Sequence, residues 1–285
     1  MVIRILLLFA ISFLAINEAA AAKKPVSFSE SMKRSKYFSR SYSKVSSTWR
    51  LYRKLYFTYK KRKKGSCHEY RIPRIIHFIW FGSPLPERFK PLIASWKKHH
   101  PTWEIKIWTD KDVHSFPFPY DTERAFKQAR NFGEKSDIFR LIVLYYIGGL
   151  YLDVDFECLS PFDNLHKACG FYTGIGYDKK ALLFNGLIGS RRKHPVIKEC
   201  LKRIKPGPGD HQRDRILRQT GPQFFTQCFY KCKKRLIGDA ITFPVTYFYP
   251  FPHSAYRPSQ RMIIRNQWVR PESMAIHYWA CSWMR

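Results

Sequence analysis

Two kinds of apolar run alternate along the second and larger part of this chain. Arg74-Ile75-Ile76-His77-Phe78-Ile79-Trp80-Phe81 is almost continuously apolar and stops at Gly82-Ser83-Pro84. Such a run, with no polar alternation, predicts a strand buried on both faces, as in a parallel sheet. Glu87 to His100 reads as a helix stopped by Pro101, and Trp103 to Trp108 as a second strand. Asp121 to Phe132 and Glu134 to Ile147 read as helices, Leu150 to Val154 and Leu182 to Ile188 as strands, and His194 to Ile204 as a helix. Thr220-Gly221-Pro222 predicts a further helix start, with Thr as N-cap and Pro in the first turn. Strands alternating with helices predict an α/β domain with a mostly parallel central sheet. The expected span of that domain is residues 67–285.

Upstream the pattern changes. Ile5 to Ile16 is apolar, with Arg4 at its start and small residues at Ala19 to Ala22. Residues 1–22 therefore read as a signal peptide or a signal-anchor, which places the chain in the secretory pathway, secreted or associated with a membrane. Residues 23–66 read as a basic stem or linker, amphipathic only from Trp49 to Tyr59, where Leu51, Leu55 and Tyr59 share a helical face.

Charge sharpens the choice of partner. The 285 residues carry a formal net charge of +30, with 45% hydrophobic and 17% aromatic residues, which excludes a disordered chain. Residues 23–64 hold 15 Lys or Arg against one acid, Glu30. The rest is basic in its own right, so anionic partners are expected: nucleotide phosphates, acidic glycans or an anionic membrane surface. Nucleic acid is not among the expected partners. Seven cysteines include no Cys-x-x-Cys, so no zinc site is read, and an oxidising compartment would permit a few disulfides.

The chemistry concentrates in Gly148-Gly149-Leu150-Tyr151-Leu152-Asp153-Val154-Asp155. Residues i and i+2 of a strand face one way, so Asp153 and Asp155 would point together. Two carboxylates at the carboxyl edge of a parallel strand repel unless a cation lies between them, and hard oxygen ligands suit Mg²⁺ or Mn²⁺. Asp110-Lys111-Asp112, the other such pair, reads as a solvated loop and helix cap. Asp137 and Arg140 stand three apart on the apolar helix that leads into the strand, and a buried charged pair needs polar partners that a nucleotide can supply. Trp80 ends the first strand beside Gly82, where an indole can stack on a base. Asn185 is a polar residue opening an apolar strand, placed to bond a sugar hydroxyl or to satisfy a turn. His277-Tyr278-Trp279-Ala280-Cys281-Ser282-Trp283 ends near the last residue and reads either as a segment closing over a ligand or as a docked strand.

Taken in order, Ile72 to Gly82, Ser136-Asp137…Arg140, Gly148 to Asp155 and His277…Ser282-Trp283 resemble glycosyltransferase family 32, the DXD-containing sugar-binding-region family, over about residues 70–285. The same elements resemble the glucosyltransferase domain of large clostridial cytotoxins. The resemblance implies a GT-A fold, a nucleotide-sugar donor, a divalent cation and transfer of a hexose with retention to a glycan, lipid or protein acceptor. By position it implies that Trp80 stacks on the base, and that Asp137 and Arg140 hold donor ribose and sugar, with Asn185 a looser match near the sugar. It places Asp153 on ribose or metal, Asp155 on the metal, and Ser282 and Trp283 on the diphosphate. His277 and Ser282 compete as the third metal ligand. Relatives often carry Gly before the terminal Ser-Trp, where this chain has Cys281, and Gly adopts φ > 0 cheaply. Within enzymes the alternative is a secreted, toxin-like transferase acting on host proteins. A non-catalytic polyanion-binding protein would use the charge but leaves the paired aspartates unexplained.

Overall fold

The computed structural model describes residues 26–33, 46–61, 69–176, 181–206, 213–255, 259 and 261–281. In chain order the elements are α1 (Phe28–Lys33), α2 (Ser47–Lys61), β1 (Ile75–Ile79), α3 (Lys90–His99), β2 (Glu104–Trp108), α4 (Thr122–Gln128), α5 (Phe132–Tyr146), β3 (Gly149–Leu152), β4 (Phe156–Cys158), α6 (Asp163–Ala168), β5 (Phe171–Ile175), β6 (Leu183–Ser190), α7 (Pro195–Arg203), α8 (Arg213–Gln219), α9 (Pro222–Lys231), β7 (Ala240–Phe243), α10 (Arg261–Trp268) and β8 (Ala275–His277). Six strands form one sheet in the order β2-β1-β3-β6-β5-β7. β1 pairs in parallel with β2 and β3, and β5 with β7, while β6 runs antiparallel to both β3 and β5. Five strands thus point one way, which is the mostly parallel α/β sheet that the alternation of elements predicts. β4 and β8 form a separate antiparallel ribbon.

Some elements lie outside the pattern. β5 and β7 are short and wholly buried, Phe171-Tyr172-Thr173-Gly174-Ile175 and Ala240-Ile241-Thr242-Phe243, so neither shows the period that marks a strand. The expected strand from Leu150 to Val154 ends at Leu152. Asp153 N–H still donates to Gly186 O at 2.9 Å, but Phe156 N–H donates back to Asp153 O at 3.2 Å, so residues 153–156 form a turn. The two aspartates converge through that turn and not through strand alternation.

The sheet is locked to α5 by one histidine and two glycines. Asn131 caps α5, its side-chain oxygen accepting from Gly133 N–H at 2.7 Å and Glu134 N–H at 3.3 Å. The helix runs through a buried apolar body to Gly148, whose N–H bonds Leu144 O at 3.1 Å. Gly148 and Gly149 have φ of 73° and 108°. A Cβ on Gly149 would stand 2.6 Å from Ile75 O and 2.8 Å from His77 Nε2, so both the conformation and the space demand glycine. His77 is fully buried inside β1. Its Nε2 lies 2.7 Å from Gly148 O, and its Nδ1 accepts from the Trp108 indole at 3.2 Å. The imidazole is therefore held as one neutral tautomer that ties β1 to β2 and to the glycine turn.

The helix expected within the basic segment is present and is part of the core. Tyr52, Leu55 and Tyr56 of α2 are fully buried, while Leu51 and Tyr59 are half-buried, so the contact face is rotated from the one read in sequence. The Tyr56 and Tyr247 hydroxyls lie 2.7 Å apart, and Thr242 Oγ1 donates to Tyr52 O at 3.2 Å. Phe28 of α1 packs edge-on to Trp49 at 5.3 Å. Packing thus reaches upstream of Cys67, and the remainder of residues 1–68 lies outside the described residues.

Two buried histidines tie stability to pH. Burial lowers the pKa of His77 from 6.5 to about 4 and that of His166 from 6.5 to about 3. Both folded-state values are depressed, so the unfolded chain takes up protons that the folded chain refuses. The stability they contribute is complete above 6.5 and is lost as pH falls toward the folded values. The slope is about 1.4 kcal/mol per pH unit for each histidine. Urea unfolding is expected to show a clearly lower midpoint at about pH 5 than at about pH 7, and equal midpoints would contradict the neutral assignment.

Candidate active site

At the carboxyl edge of β3, side chains from α5, the 153–156 turn, β6, the loop before α9 and β8 meet. Arg140 stands at the centre. Its guanidinium lies 3.0 Å from Asp137 Oδ1 and 3.4 Å from Asp153 Oδ1, donates to Asn185 O at 2.6 Å and to Ser136 O at 3.2 Å, and sits 4.3 Å from the Tyr151 ring centroid. Asp137 accepts from Asn185 Nδ2 at 2.8 Å and from the Thr220 hydroxyl at 2.9 Å. Asp153 accepts from the Tyr151 hydroxyl at 2.8 Å. One step outward, His277 Nε2 lies 3.1 Å from Asp155 Oδ1 and 3.9 Å from Asp153 Oδ2. Ala280 N–H donates to the other Asp155 oxygen at 2.7 Å.

Burial grades across the cluster. Asp137, Arg140, Asp155 and His277 are buried, whereas the Asp153 side chain is 32% exposed, so the cluster opens to solvent at Asp153. Burial raises the pKa of Asp137, an effect that Arg140 and the Thr220 hydrogen bond only partly offset. For Asp155 burial acts in the same sense, but His277 and the Ala280 N–H outweigh it and hold the carboxyl below its usual range. His277 moves the opposite way: burial lowers its pKa, yet Asp155 and then Asp153 leave it above 6.5. Among the described residues of the cluster, Asp137, Asp153 and Asp155 outnumber the permanent cation, Arg140. That surplus of negative charge fits a divalent cation, and Asp153, Asp155 and His277 each offer a ligand atom within 4.8 Å of the others. Two carboxylate oxygens and an imidazole nitrogen form an ordinary donor set for such an ion.

This cluster is built on a sequence that matches known proteins. Residues 86–171 match the family described as the glycosyltransferase sugar-binding region containing DXD motif. That match takes in α5, β3 and the 153–156 turn, and so the part of the cluster built on Asp137, Arg140, Asp153 and Asp155. The chain is similar to inositol phosphoceramide mannosyltransferase 1 of Schizosaccharomyces pombe, at 27% identity over 154 residues, covering 47% of this chain and 43% of the relative. It is also similar to subversion of eukaryotic traffic protein A of Legionella pneumophila, at 30% identity over 129 residues, covering 36% of this chain and 20% of the relative. The matched segments thus span less than half the length of these relatives. Among solved structures the PaToxG glycosyltransferase aligns with a TM-score of 0.48 and 20% identity, covering 64% of this chain and 75% of that one.

Of the residues read from the sequence, Asp137, Arg140, Asp153, Asp155, Asn185 and His277 come together at this edge. Trp80 stands half-buried at the end of β1, its ring 5.4 Å from Phe89 and its indole N–H on Ser83 Oγ at 3.1 Å. Ser282 and Trp283 lie outside the described residues. The terminal segment docks as a strand only over β8, paired with β4; beyond it Tyr278 N–H donates to Asp155 O at 3.0 Å. Cys281 has φ 47° and Trp279 φ 52°, so Cys281 takes up the left-handed conformation that glycine adopts cheaply. Asp112 caps the 110–115 turn through Thr109, as expected of the second Asp-x-Asp.

Two partners were missed in the sequence. Tyr151 shares the strand face of Asp153 at i+2, so alternation could have found it. Thr220 gave no such signal. It reads as the N-cap of α9, but Gly221 takes that position without a side-chain cap and the Thr220 hydroxyl turns to Asp137. Thr220→Val keeps the shape and removes a hydrogen bond to a buried carboxylate, so a loss of about 1–3 kcal/mol is expected in urea unfolding. An unchanged midpoint would mean that Asp137 finds a replacement donor.

Proposed function

We propose that this protein is a metal-dependent, retaining glycosyltransferase of the GT-A type, which moves a hexose from a nucleotide-sugar donor to a lipid-linked or glycan acceptor. One observation carries the reading: Asp153, Asp155 and His277 form a cation-sized group directly in front of the Arg140 cluster. A bound Mn²⁺ or Mg²⁺ would neutralise the diphosphate as the anomeric C–O bond breaks. The chain's own residues do the rest. Asp155 and His277, both buried, and the partly exposed Asp153 would be the residues that hold the ion. Arg140, fixed by Asp137 and Asn185, presents a preorganised positive charge that costs no reorganisation during reaction. Asp137 and the Asn185 amide oxygen would accept from ribose and sugar hydroxyls, the Asn185 amide hydrogens being spent on Asp137 and Thr220 O; Trp80 would offer a stacking face to the base, and Ser282 and Trp283 would supply donors to the leaving diphosphate.

The acceptor follows from two supports. A relative is named for mannosyl transfer to inositol phosphoceramide, an anionic lipid, and this chain carries a net charge of +30. A membrane-associated place in the secretory pathway, reached through the apolar start of the chain, suits such an acceptor. Among the described residues no helix is long and apolar enough to cross a membrane.

Donor hydrolysis tests the reading without an acceptor. A panel of nucleotide sugars, with and without Mn²⁺, should give metal-dependent release of one nucleoside diphosphate. Asp155→Asn should lose that release while unfolding normally, and the same activity in chelator would refute metal dependence. Mn²⁺ with the nucleoside diphosphate should raise the melting temperature of the natural protein and not of Asp155→Asn. Trp80→Ala should weaken donor binding by about 1–3 kcal/mol if the indole carries the base. Unchanged affinity in a folded variant would make Trp80 structural.

A further inference from the structure

The outer face of α2 takes no part in the proposed chemistry. Its inner face, through Trp49, Tyr52, Leu55 and Tyr56, is buried in the core. Arg50, Arg53, Lys54, Phe57 and Lys60 are exposed. They recur at three- and four-residue steps and so form one stripe along the helix. A second exposed basic run, Lys231, Lys233, Lys234 and Arg235, begins at the last residue of α9.

The fold joins the two runs into one surface. The Tyr230 and Ser47 hydroxyls lie 2.9 Å apart, Lys233 Nζ donates to Tyr230 OH at 3.4 Å, and the Tyr52 and Phe229 rings meet at 6.0 Å. Hydrogen bonds from Ser47 and Lys233, then the charges of Lys233 and Arg50, hold the Tyr230 phenol below its usual value, so one hydroxyl feels cations from both segments. No acid occurs in residues 46–61 or 215–238. Ordinary protein surfaces intersperse the two signs. Phe57, 37% exposed, lies with its ring centroid 5.3 Å from the Arg53 guanidinium, and Ile237, 45% exposed, follows Arg235 by two residues.

We infer that this two-segment face docks on a bilayer surface rich in anionic phospholipid. Lipid phosphates match the cations, and Phe57 and Ile237 enter the headgroup boundary. A basic helical face carrying a few aromatic or aliphatic side chains has the composition of an interfacial element. The surface is the outside of a helix and not a groove, and it offers one aromatic ring where a single-stranded nucleic acid would need a stacking series. The inference does not require the glycosyltransferase reading, although a lipid-linked acceptor would give it a use.

Co-sedimentation of the full chain with phosphatidylcholine vesicles, with and without phosphatidylserine, tests it. Binding should require phosphatidylserine and weaken with added salt. The combined variant Arg50→Gln, Arg53→Gln, Lys54→Gln, Lys233→Gln and Lys234→Gln should bind at least about tenfold more weakly. Its melting temperature and its turnover of soluble donor should be unchanged, which separates this result from failure of the proposed activity. Arg62→Gln, Lys63→Gln and Lys64→Gln together should cost less. Phe57→Ser should weaken vesicle binding and leave heparin binding as it was. Full vesicle binding by the five-residue variant overturns the inference. So does a Phe57→Ser variant that binds vesicles as well as the natural protein while heparin competes fully, which would mark a surface for soluble polyanions.

Discussion

Arg140 is buried, and among the described residues of the cluster it is the permanent cation set against three carboxylates. Its guanidinium spends its donors on Asp137, Asp153, Asn185 O and Ser136 O and lays its face on Tyr151, so α5, β3 and β6 are held in one register around it. A charge removed from water costs several kcal/mol unless its partners are complete. Here they are complete, and the cost becomes a positional constraint. Asp137 cannot move without breaking its bonds to Thr220 and Asn185, and Asp153 cannot rotate without losing Tyr151. The site is therefore stiff on its buried side and open on the Asp153 side, as a ligand-binding edge needs to be.

That constraint works because the frame beneath it is equally specified. His77 fills the space between β1 and the glycine turn and bonds both Gly148 O and the Trp108 indole. The turn lets α5 deliver Asp137 and Arg140 to the edge where β3 ends. On the outer side, Glu157 of β4 pairs with Arg265 of α10 and accepts from the Tyr278 hydroxyl at 2.6 Å. This holds the β4–β8 ribbon, and with it His277, against the 153–156 turn. The C-terminal segment reaches the site by strand pairing, and the left-handed residues Trp279 and Cys281 then bring Ala280 N–H onto Asp155.

Charge is divided between two places with opposite needs. The site concentrates carboxylates around one arginine, and a divalent cation would balance them. The remote face made by α2 and Lys231–Arg235 concentrates cations with no acid in either segment. A net charge of +30 is thus not spread evenly over the surface. The proposed transfer uses the first feature and the proposed membrane contact the second, and each can be removed without disturbing the other.

Much of this was legible in the sequence. β1 and β2 are short apolar runs bounded by Gly, Pro or polar turns, and α5 is a long apolar helix with a carboxylate and an arginine three apart. Those signals are local, so they survive without the fold. The identities of Asp137, Arg140, Asp153, Asp155, Asn185 and His277 were readable for the same reason, because each sits in a motif with its own spacing. Other features depended on contacts between distant segments. β5 and β7 lack a period because both their faces are buried. The aspartates meet through a turn because β3 runs out at Leu152, which depends on its pairing with β6. Thr220 serves Asp137 and not α9 because the chain folds back over a separation of 83 positions to place it there. The inner face of α2 faces the core only because β7 and the Tyr247 loop are there to receive it. Sequence determined which residues could do chemistry; tertiary packing decided which of them share one charge, since burial and hydrogen-bond completion belong to the assembled structure and not to any stretch of the chain.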